Sequence, residues 1–574
     1  MSKVEQQTTE NTDKAVCREV VRLLAHFGVE DVVLSPGSRN APLIMAVVRT
    51  DSLRHHVIVD ERSAAFVALG MASQSQRPVA VVCTSGTALL NYAPAVAEAF
   101  YRGVPLIVVS ADRPAEWIDQ DDSQTIHQHG ALDNIVKYSV DIPVESGSDV
   151  QMWMINRKLN DALIAATTPM QGPVHINVQL EVPLTNICKP DVNEASRTIS
   201  CVLPDNNIST ARIRVIGAEL APPRKVLVIA GFMAPSDKGS RAVTRLAAVP
   251  NIAVLAEAQA NLHSKGVIGN IDRVLGAVPP DKMDDLRPDV VITFGGSLVS
   301  RLVKDWLRGL SGIEHWHIGR RGLSVDCFRC LTRRIELPES NFLSQLASAV
   351  QLFRAGKSDY ASLWHKYEKA AAVRYQDYLS RAPWCDMCAV DAIVRAVPPS
   401  ANLHVSNGTP VRYLQLSDYG HIHRIDCNRG VSGIDGCTST AIGAAFAYSG
   451  QTVLITGDMS AQYDLSAFAV KGIPQNFRMF VINNGGGGIF RFIKSTRCLD
   501  ELEECFAVGN NLPLRNIAEG FGFEYIGVSD LKSLLNVLGY VFTTGSKPCI
   551  IEVCLPSEAG ASVLIEFFRN NKIR

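Results

Sequence analysis

Apolar residues along the chain fall in short unbroken runs rather than in strict alternation with polar ones, the pattern of strands buried on both faces of a parallel sheet. In the first third the runs occupy residues 31–34, 56–59, 79–83, 106–110 and 174–180. The middle holds 226–230, 253–256, 290–294 and 315–318; the last third holds 403–406, 424–426, 452–456, 478–482 and 550–555. Helix-length segments separate the runs, and each run ends in a polar or Gly-rich loop. The pattern predicts an α/β chain of three doubly wound parallel-sheet domains. A polar, Pro-containing stretch at 189–222 and a charged helical stretch at 358–383 read as linkers, giving domains 1–188, 223–357 and 384–574. The length of 574 residues suits such a division.

The first and last thirds repeat one another. DVVLSPGSR matches NLHVSNGTP, ALGMA matches AIGAA, AVVCTSGTA matches VLITGDMSA, and LIVVSADRP matches MFVINNGGG, all at an offset of about 370 residues. Two copies of one βα unit predict a pseudosymmetric pair of domains. Open α/β sheets bind ligands beyond their strand C-termini, so a cofactor with two chemically different ends would suit the pair.

Composition narrows the function. The formal net charge of −1 lacks the positive field that nucleic acid or an anionic membrane surface attracts, so any anion recognition is local. The uncharged stretches 78–97 and 436–457 are interrupted by polar and turn residues, against a membrane span. The opening MSKVEQQTTENTDKAV has no apolar core of a secretory signal, so a cytoplasmic location is expected. The 14 cysteines read as reduced thiols. Two CxxC pairs occur, Cys327 with Cys330 and Cys385 with Cys388, but more than fifty residues separate them, too far for a compact four-thiolate zinc site.

The chemistry concentrates at predicted strand ends. Gly457, Asp458, Met459 and Ser460 follow one strand, and Asn484 and Gly486 follow the next. An Asp carboxylate, an Asn amide oxygen and a backbone carbonyl near Gly486 can complete an octahedral Mg²⁺ site with diphosphate oxygens, and Mn²⁺ accepts the same donors. The Ser460 hydroxyl and backbone N–H groups suit the phosphates. Either turn alone is a common loop; the spacing of just under thirty residues makes the pair specific. Glu61 follows the run at 56–59 and opens an Ala-rich helix at 61–72, where its side chain can be aimed into a cleft for proton exchange. Arg39, Arg113, Arg412 and Arg429 each fall within a few residues of a strand C-terminus, as expected for substrates carrying several carboxylates. Gln124 can add a neutral hydrogen bond, whereas His127 and His129 read as surface or core residues.

The GD turn followed by NN resembles the thiamine diphosphate motif shared by pyruvate decarboxylase, acetolactate synthase and relatives. That resemblance gives Asp458, Asn484 and Gly486 the Mg²⁺-ligand roles, makes Glu61 the carboxylate facing the aminopyrimidine, and makes Ile434 in SGIDG the apolar wedge that bends the cofactor. The fuller set SPGSR, DERSAAFVALGMA, TSGTALLNYAPAVAEA, SADRP, QTIHQ, NRGVSGIDG, GDMSAQYDL and NNGGGGIF resembles one family, the 2-succinyl-5-enolpyruvyl-6-hydroxy-3-cyclohexene-1-carboxylate synthases of menaquinone biosynthesis. It covers the first and last thirds closely and the middle loosely. It implies the three-domain fold of thiamine diphosphate-dependent enzymes in a homodimer or homotetramer, with active sites between subunits. It also implies decarboxylation of 2-oxoglutarate followed by conjugate addition of the resulting carbanion to isochorismate.

By the same resemblance Ser38, Arg39, Arg113 and Gln124 face isochorismate, Arg412 and Arg429 face the succinyl carboxylate, and Ile489 and Phe490 form an apolar wall. Two departures stand out. Where some relatives carry a Lys-Arg pair this chain has Arg301-Leu302, leaving Arg301 as the middle domain's charge; where others carry Ser, it has Gly408. An acetolactate synthase-like enzyme is the competing reading, but a small substrate such as pyruvate does not call for four arginines. A nicotinamide dehydrogenase is excluded by the lack of GxGxxG between a strand and a helix.

Overall fold

The structure is a computed structural model that describes residues 10–190, 196–319, 322–353, 357–543, 545–570 and 572–573. It contains three six-stranded sheets, each wholly parallel. The first comprises β1 (Asp31–Leu34), β2 (Arg54–Val57), β3 (Val79–Cys83), β4 (Leu106–Asp112), β5 (Tyr138–Ile142) and β6 (Val174–Gln179) in the order β2-β1-β3-β4-β6-β5. The second comprises β7 (Val226–Ala230), β8 (Ile252–Ala256), β9 (Val267–Ile268), β10 (Val290–Phe294), β11 (Glu314–Ile318) and β12 (Leu331–Ile335) in the order β9-β8-β7-β10-β11-β12. The third comprises β13 (Asn402–Val405), β14 (Arg424–Asp426), β15 (Thr452–Gly457), β16 (Phe477–Asn483), β17 (Glu524–Val528) and β18 (Cys549–Cys554) in the order β14-β13-β15-β16-β18-β17. The first and third sheets share one topology, as the internal repeat requires. The α/β class read from the sequence holds.

The central strands are buried along their whole length, which is why they read as continuous apolar runs. Four strands left no such run: β5, β9, β12 and β17, and each lies at a sheet edge. β5, β12 and β17 are partly solvated, with polar residues interleaved, as in Leu-Thr-Arg-Arg-Ile of β12, and β9 is only two residues long. The run expected at 56–59 pairs instead over Arg54–Val57, another edge strand, so three residues separate it from the helix at Glu61. Among the described residues no helix is long and apolar enough to cross a membrane.

The chain divides into two compact units. The first holds the described residues up to Leu203 together with Gly430–Ser449 and Asp464–Ile473. Within it helix Glu61–Ser75 is buried from Ser63 to Ser73 and packs on helix Cys437–Phe446. The backbones meet at two glycines: a Cβ on Gly70 would lie 2.0 Å from the Thr440 carbonyl oxygen, and one on Gly443 would lie 2.0 Å from that of Val67. Only glycine permits that approach. The second unit contains the second and third sheets. The stretch 189–222 supplies it with helix Thr210–Glu219, whose Ile213 and Ile216 join the core of the second sheet. The stretch 358–383 forms helix Tyr360–Leu379, which buries Tyr360 and Trp364 on that sheet's other face.

Candidate functional site

In the first unit the strand C-termini carry a polar cluster. Asp60 caps helix Glu61–Ser75 by accepting from Ser63 N at 3.0 Å, so Glu61 is fixed as the first helical residue, half-buried. Its charge adds to the burial that pushes up the Cys83 thiol and the Tyr92 hydroxyl, which places Glu61 beside the ends of β3 and β1. Tyr92 in turn donates to Ser35 Oγ at 3.1 Å. Arg39 is buried at 8 % exposure, and its guanidinium donates to the Leu180 carbonyl at 2.9 Å. Burial holds its pKa down and the nearby Arg113 adds to that, so the structure brings these two arginines together. Arg113 pairs with Asp122, while its Nε is buried without a hydrogen-bond partner. Between them Asp112 is pushed up to about 6 by burial, although it accepts from Asn177 and from Arg113 N.

Gln124 donates to the Ser85 carbonyl at 2.7 Å, and Ser38 is exposed. His127 and His129 are exposed as well, His127 beside Asp119. The residue between them was not singled out in the sequence: Gln128 is 1 % exposed, accepts from Gly86 N at 2.6 Å, and donates to Asn177 and the Ala111 carbonyl. Glu98 is a second such residue. Its two carboxylate oxygens accept from Gly430 N at 2.8 Å and Val431 N at 2.7 Å, anchoring the segment that carries Ile434, itself 36 % exposed.

In the second unit the two turns after β15 and β16 are joined. Asp458 opens a short helix, is 2 % exposed, and accepts from Met459 N at 2.9 Å and from Gly486 N at 2.8 Å. Gly486 has φ +133°, and a Cβ there would lie 2.4 Å from the Ala507 carbonyl oxygen, so glycine is required. Burial pushes the Asp458 carboxyl up to about 6 against the pull of those two N–H groups, and nearby Asp386 adds to the rise. Asn484, also buried, donates through Nδ2 to Asp386 Oδ1 at 2.6 Å, which turns its amide oxygen away from that carboxylate. Asp386 was not anticipated from the sequence. A desolvated carboxylate beside an oriented amide oxygen fits a hard divalent cation. Ser460 is buried, Met459 half-buried, and Gly457 N donates to Ser406 Oγ at 3.3 Å. Ile489 and Phe490 lie half-buried on helix Gly488–Phe492.

The second unit also gathers arginines. Arg412 lies over the Phe492 ring at 5.8 Å; burial holds its pKa down, Arg429 and Arg301 add to that, and Asp272 and Glu257 oppose it. Its Nε is buried without a hydrogen-bond partner. Arg429 donates to Asn407 Oδ1 at 3.1 Å and to the Leu298 carbonyl at 3.2 Å, and its Nε is likewise unpaired. Arg301 is largely exposed and pairs with Asp305. Glu257 was missed by the sequence reading. It lies at 1 % exposure, accepts from Val299 N and Ser300 N at 2.7 and 2.6 Å, and is pushed up to about 7 by burial. Gly408 has φ +95°, a backbone conformation that a serine would adopt only under strain.

Known proteins resemble the chain along nearly its whole length. Residues 15–132 match the model of the thiamine pyrophosphate enzyme N-terminal TPP binding domain. Together with three parallel sheets, that defines an enzyme of the thiamine pyrophosphate-dependent class. A protein of Porphyromonas gingivalis is 40 % identical over 564 residues, covering 97 % of both chains. Proteins of Flavobacterium johnsoniae and Christiangramia forsetii are 34 % and 35 % identical, over 97 % and 96 % of this chain and 98 % of each of theirs. All three are named 2-succinyl-5-enolpyruvyl-6-hydroxy-3-cyclohexene-1-carboxylate synthase, and the chain belongs to that family.

Proposed function

We propose that the chain decarboxylates 2-oxoglutarate and adds the succinyl unit in conjugate fashion to isochorismate, giving 2-succinyl-5-enolpyruvyl-6-hydroxy-3-cyclohexene-1-carboxylate for menaquinone biosynthesis in the cytoplasm. The observation that carries this reading is Arg412, a half-buried guanidinium whose Nε has no partner within the fold. Buried donors are normally satisfied, so an unpaired one calls for a ligand, and a carboxylate matches it.

Thiamine diphosphate, when bound, supplies a nucleophilic carbon and an electron sink for the decarboxylation. In our reading Asp458 and Asn484, with the backbone at Gly486, hold Mg²⁺ or Mn²⁺. Gly457, Met459 and Ser460 line the diphosphate, and Ile434 supports the cofactor's bend. Glu61 holds the proton exchanged with the aminopyrimidine ring nitrogen. Ser38, Arg39, Arg113 and Gln124 bind isochorismate, Arg412, Arg429 and Arg301 bind the succinyl carboxylate, and Ile489 with Phe490 excludes water. The domains run 1–188, 223–357 and 384–574, and the enzyme is a homodimer or homotetramer with sites completed between subunits.

The test is to incubate purified protein with thiamine diphosphate, Mg²⁺ and 2-oxoglutarate, with and without isochorismate, and to identify products by mass spectrometry. The adduct should form only when both substrates are present. Failure to form it, or equal carboligation with pyruvate, overturns the reading.

A further inference from the structure

We propose that His315, Asp326 and Cys330 form a structural site for one divalent transition-metal ion of zinc's class, on the second sheet. One ring nitrogen of His315, one carboxylate oxygen of Asp326 and the Cys330 sulfur all lie within 4.8 Å of one another. The three come from two neighbouring segments: His315 is the second residue of β11, and Asp326 and Cys330 lie in the connection that leads into β12.

The histidine is the informative member. Its side chain is 1 % exposed and packs against Phe328 at 5.1 Å. Nε2 is 2.8 Å from the Thr293 hydroxyl, which also contacts His317 Nδ1 at 2.9 Å, so the ring cannot turn without breaking that bridge. Nδ1 is left buried without a hydrogen-bond partner, 3.8 Å from Asp326 Oδ1. That distance is too long for a hydrogen bond. Asp326 is held in turn: Oδ1 accepts from Cys330 N at 2.9 Å and Leu331 N at 3.1 Å. A fixed buried nitrogen facing a fixed carboxylate at this spacing leaves room for a cation rather than a proton.

The donors name the class of cation. A sulfur ligand disfavours Mg²⁺ and Ca²⁺, and a mixed N, O, S set suits Zn²⁺. Bonds of about 2.0–2.3 Å around a tetrahedral zinc put ligand atoms roughly 3.4–3.6 Å apart, so binding needs a contraction of only a few tenths of an ångström at the His315 to Asp326 edge. Asp326 is 36 % exposed, which leaves the fourth position open to water. This ligand set uses one thiol of one CxxC pair and is distinct from a site spanning both pairs. The other pair, Cys385 and Cys388, lies in the core of the third sheet with its sulfurs 3.8 Å apart. Because His315 sits where β11 begins, at the opposite end of the strands from their C-terminal loops, the ion would tie a connection to the sheet and take no part in turnover.

Cobalt(II) supplies the probe. Full-length, tag-free enzyme stripped of metal by chelator should bind one equivalent with a thiolate-to-cobalt charge-transfer band, and Zn²⁺ should displace it and raise the unfolding temperature. Cys330→Ser should remove the band, and Asp326→Asn, at a partly exposed position, should weaken binding by about tenfold or more. Turnover of Cys330→Ser with saturating thiamine diphosphate and Mg²⁺ should match the parent. Absence of a bound equivalent at micromolar metal overturns the proposal. So does a band that survives Cys330→Ser, or one lost in Cys388→Ser instead.

Discussion

Asp386 offers the sharpest test of the proposed cation site. It supplies none of the donor oxygens assigned to Mg²⁺, yet it accepts the Asn484 Nδ2 hydrogen bond at 2.6 Å, and both residues are buried. A hydrogen bond to a charged acceptor contributes about 1.5–3 kcal/mol, and this one also decides which end of the amide faces the turn after β15. In Asp386→Ala the Asn484 amide is free to rotate and present its NH₂ group where its oxygen should be. At about 1.4 kcal/mol per decade, Mg²⁺-dependent cofactor binding should weaken by roughly 10- to 100-fold, the range typical of residues that orient metal ligands. Asp386→Asn keeps an acceptor but loses the charge, so its loss should be intermediate.

Calorimetric titration of thiamine diphosphate at limiting and at saturating Mg²⁺ separates the effects. The loss should be large in the first condition and largely recovered in the second. Circular dichroism and the unfolding temperature of the metal-free protein check that both variants fold. If folded Asp386→Ala shows the parent's Mg²⁺ dependence, the Asn484 orientation is not what prepares the pocket, and the assignment of its amide oxygen as a ligand falls with it.

Other expectations follow from the same geometry. Glu61→Gln should fold and bind thiamine diphosphate but lose most of kcat, because an amide cannot exchange the proton; near-parental turnover in steady-state kinetics would refute the role. Arg412→Ala should lose about 2–5 kcal/mol in kcat/KM for 2-oxoglutarate, while any trace activity with pyruvate, which lacks the remote carboxylate, stays nearly unchanged; equal losses with both would make Arg412 structural. Glu257, pushed up to about 7, contributes stability that is present in full below its ordinary pKa of 4.5 and is lost as pH rises through about 7. Glu257→Gln should therefore flatten the fall in denaturant-measured stability between pH 5 and pH 8, and an unchanged slope would show that this carboxyl is not the group titrating.

The chain's hydrophobic pattern made the centre of each sheet legible and its rim illegible, for one physical reason. Val79–Cys83, Val226–Ala230 and Val290–Phe294 are covered on both faces, so burial alone writes them into the sequence. Edge strands such as Glu524–Val528 are half-solvated and carry no such run. The site divides in the same way. Residues that would touch ligands fall in turns with Gly, Asp, Asn and Arg at recognisable spacing, and a reader can find them. Asp386, Glu98, Gln128 and Glu257 act on backbone N–H groups or on other side chains from positions remote in sequence, and nothing local distinguishes them from ordinary polar residues.

Those supporting residues also explain how a cluster of arginines can keep acids close by. Glu257 and Asp272 are both near Arg412, and buried opposite charges would ordinarily collapse into ion pairs that consume the guanidinium. Here the acids are occupied elsewhere. Glu257 is held by the N–H groups of Val299 and Ser300 and by Gln259 at 2.6 Å, and Asp272 by the Ser300 hydroxyl. The positive field of the cluster is thereby tempered, which lowers the cost of holding Arg412, Arg429 and Lys304 together, while the Arg412 Nε stays unpaired. A carboxylate arriving there would meet a donor already desolvated and oriented, so most of the ordering cost of binding has been met by folding. The loop 297–300 joins the two sides of this arrangement. Ser297 donates to the Arg429 carbonyl, the Leu298 carbonyl accepts from both Arg429 and Lys304, and the next two N–H groups rest on Glu257. A substitution that loosens this loop should therefore act first on KM for the keto acid, leaving cofactor affinity in place.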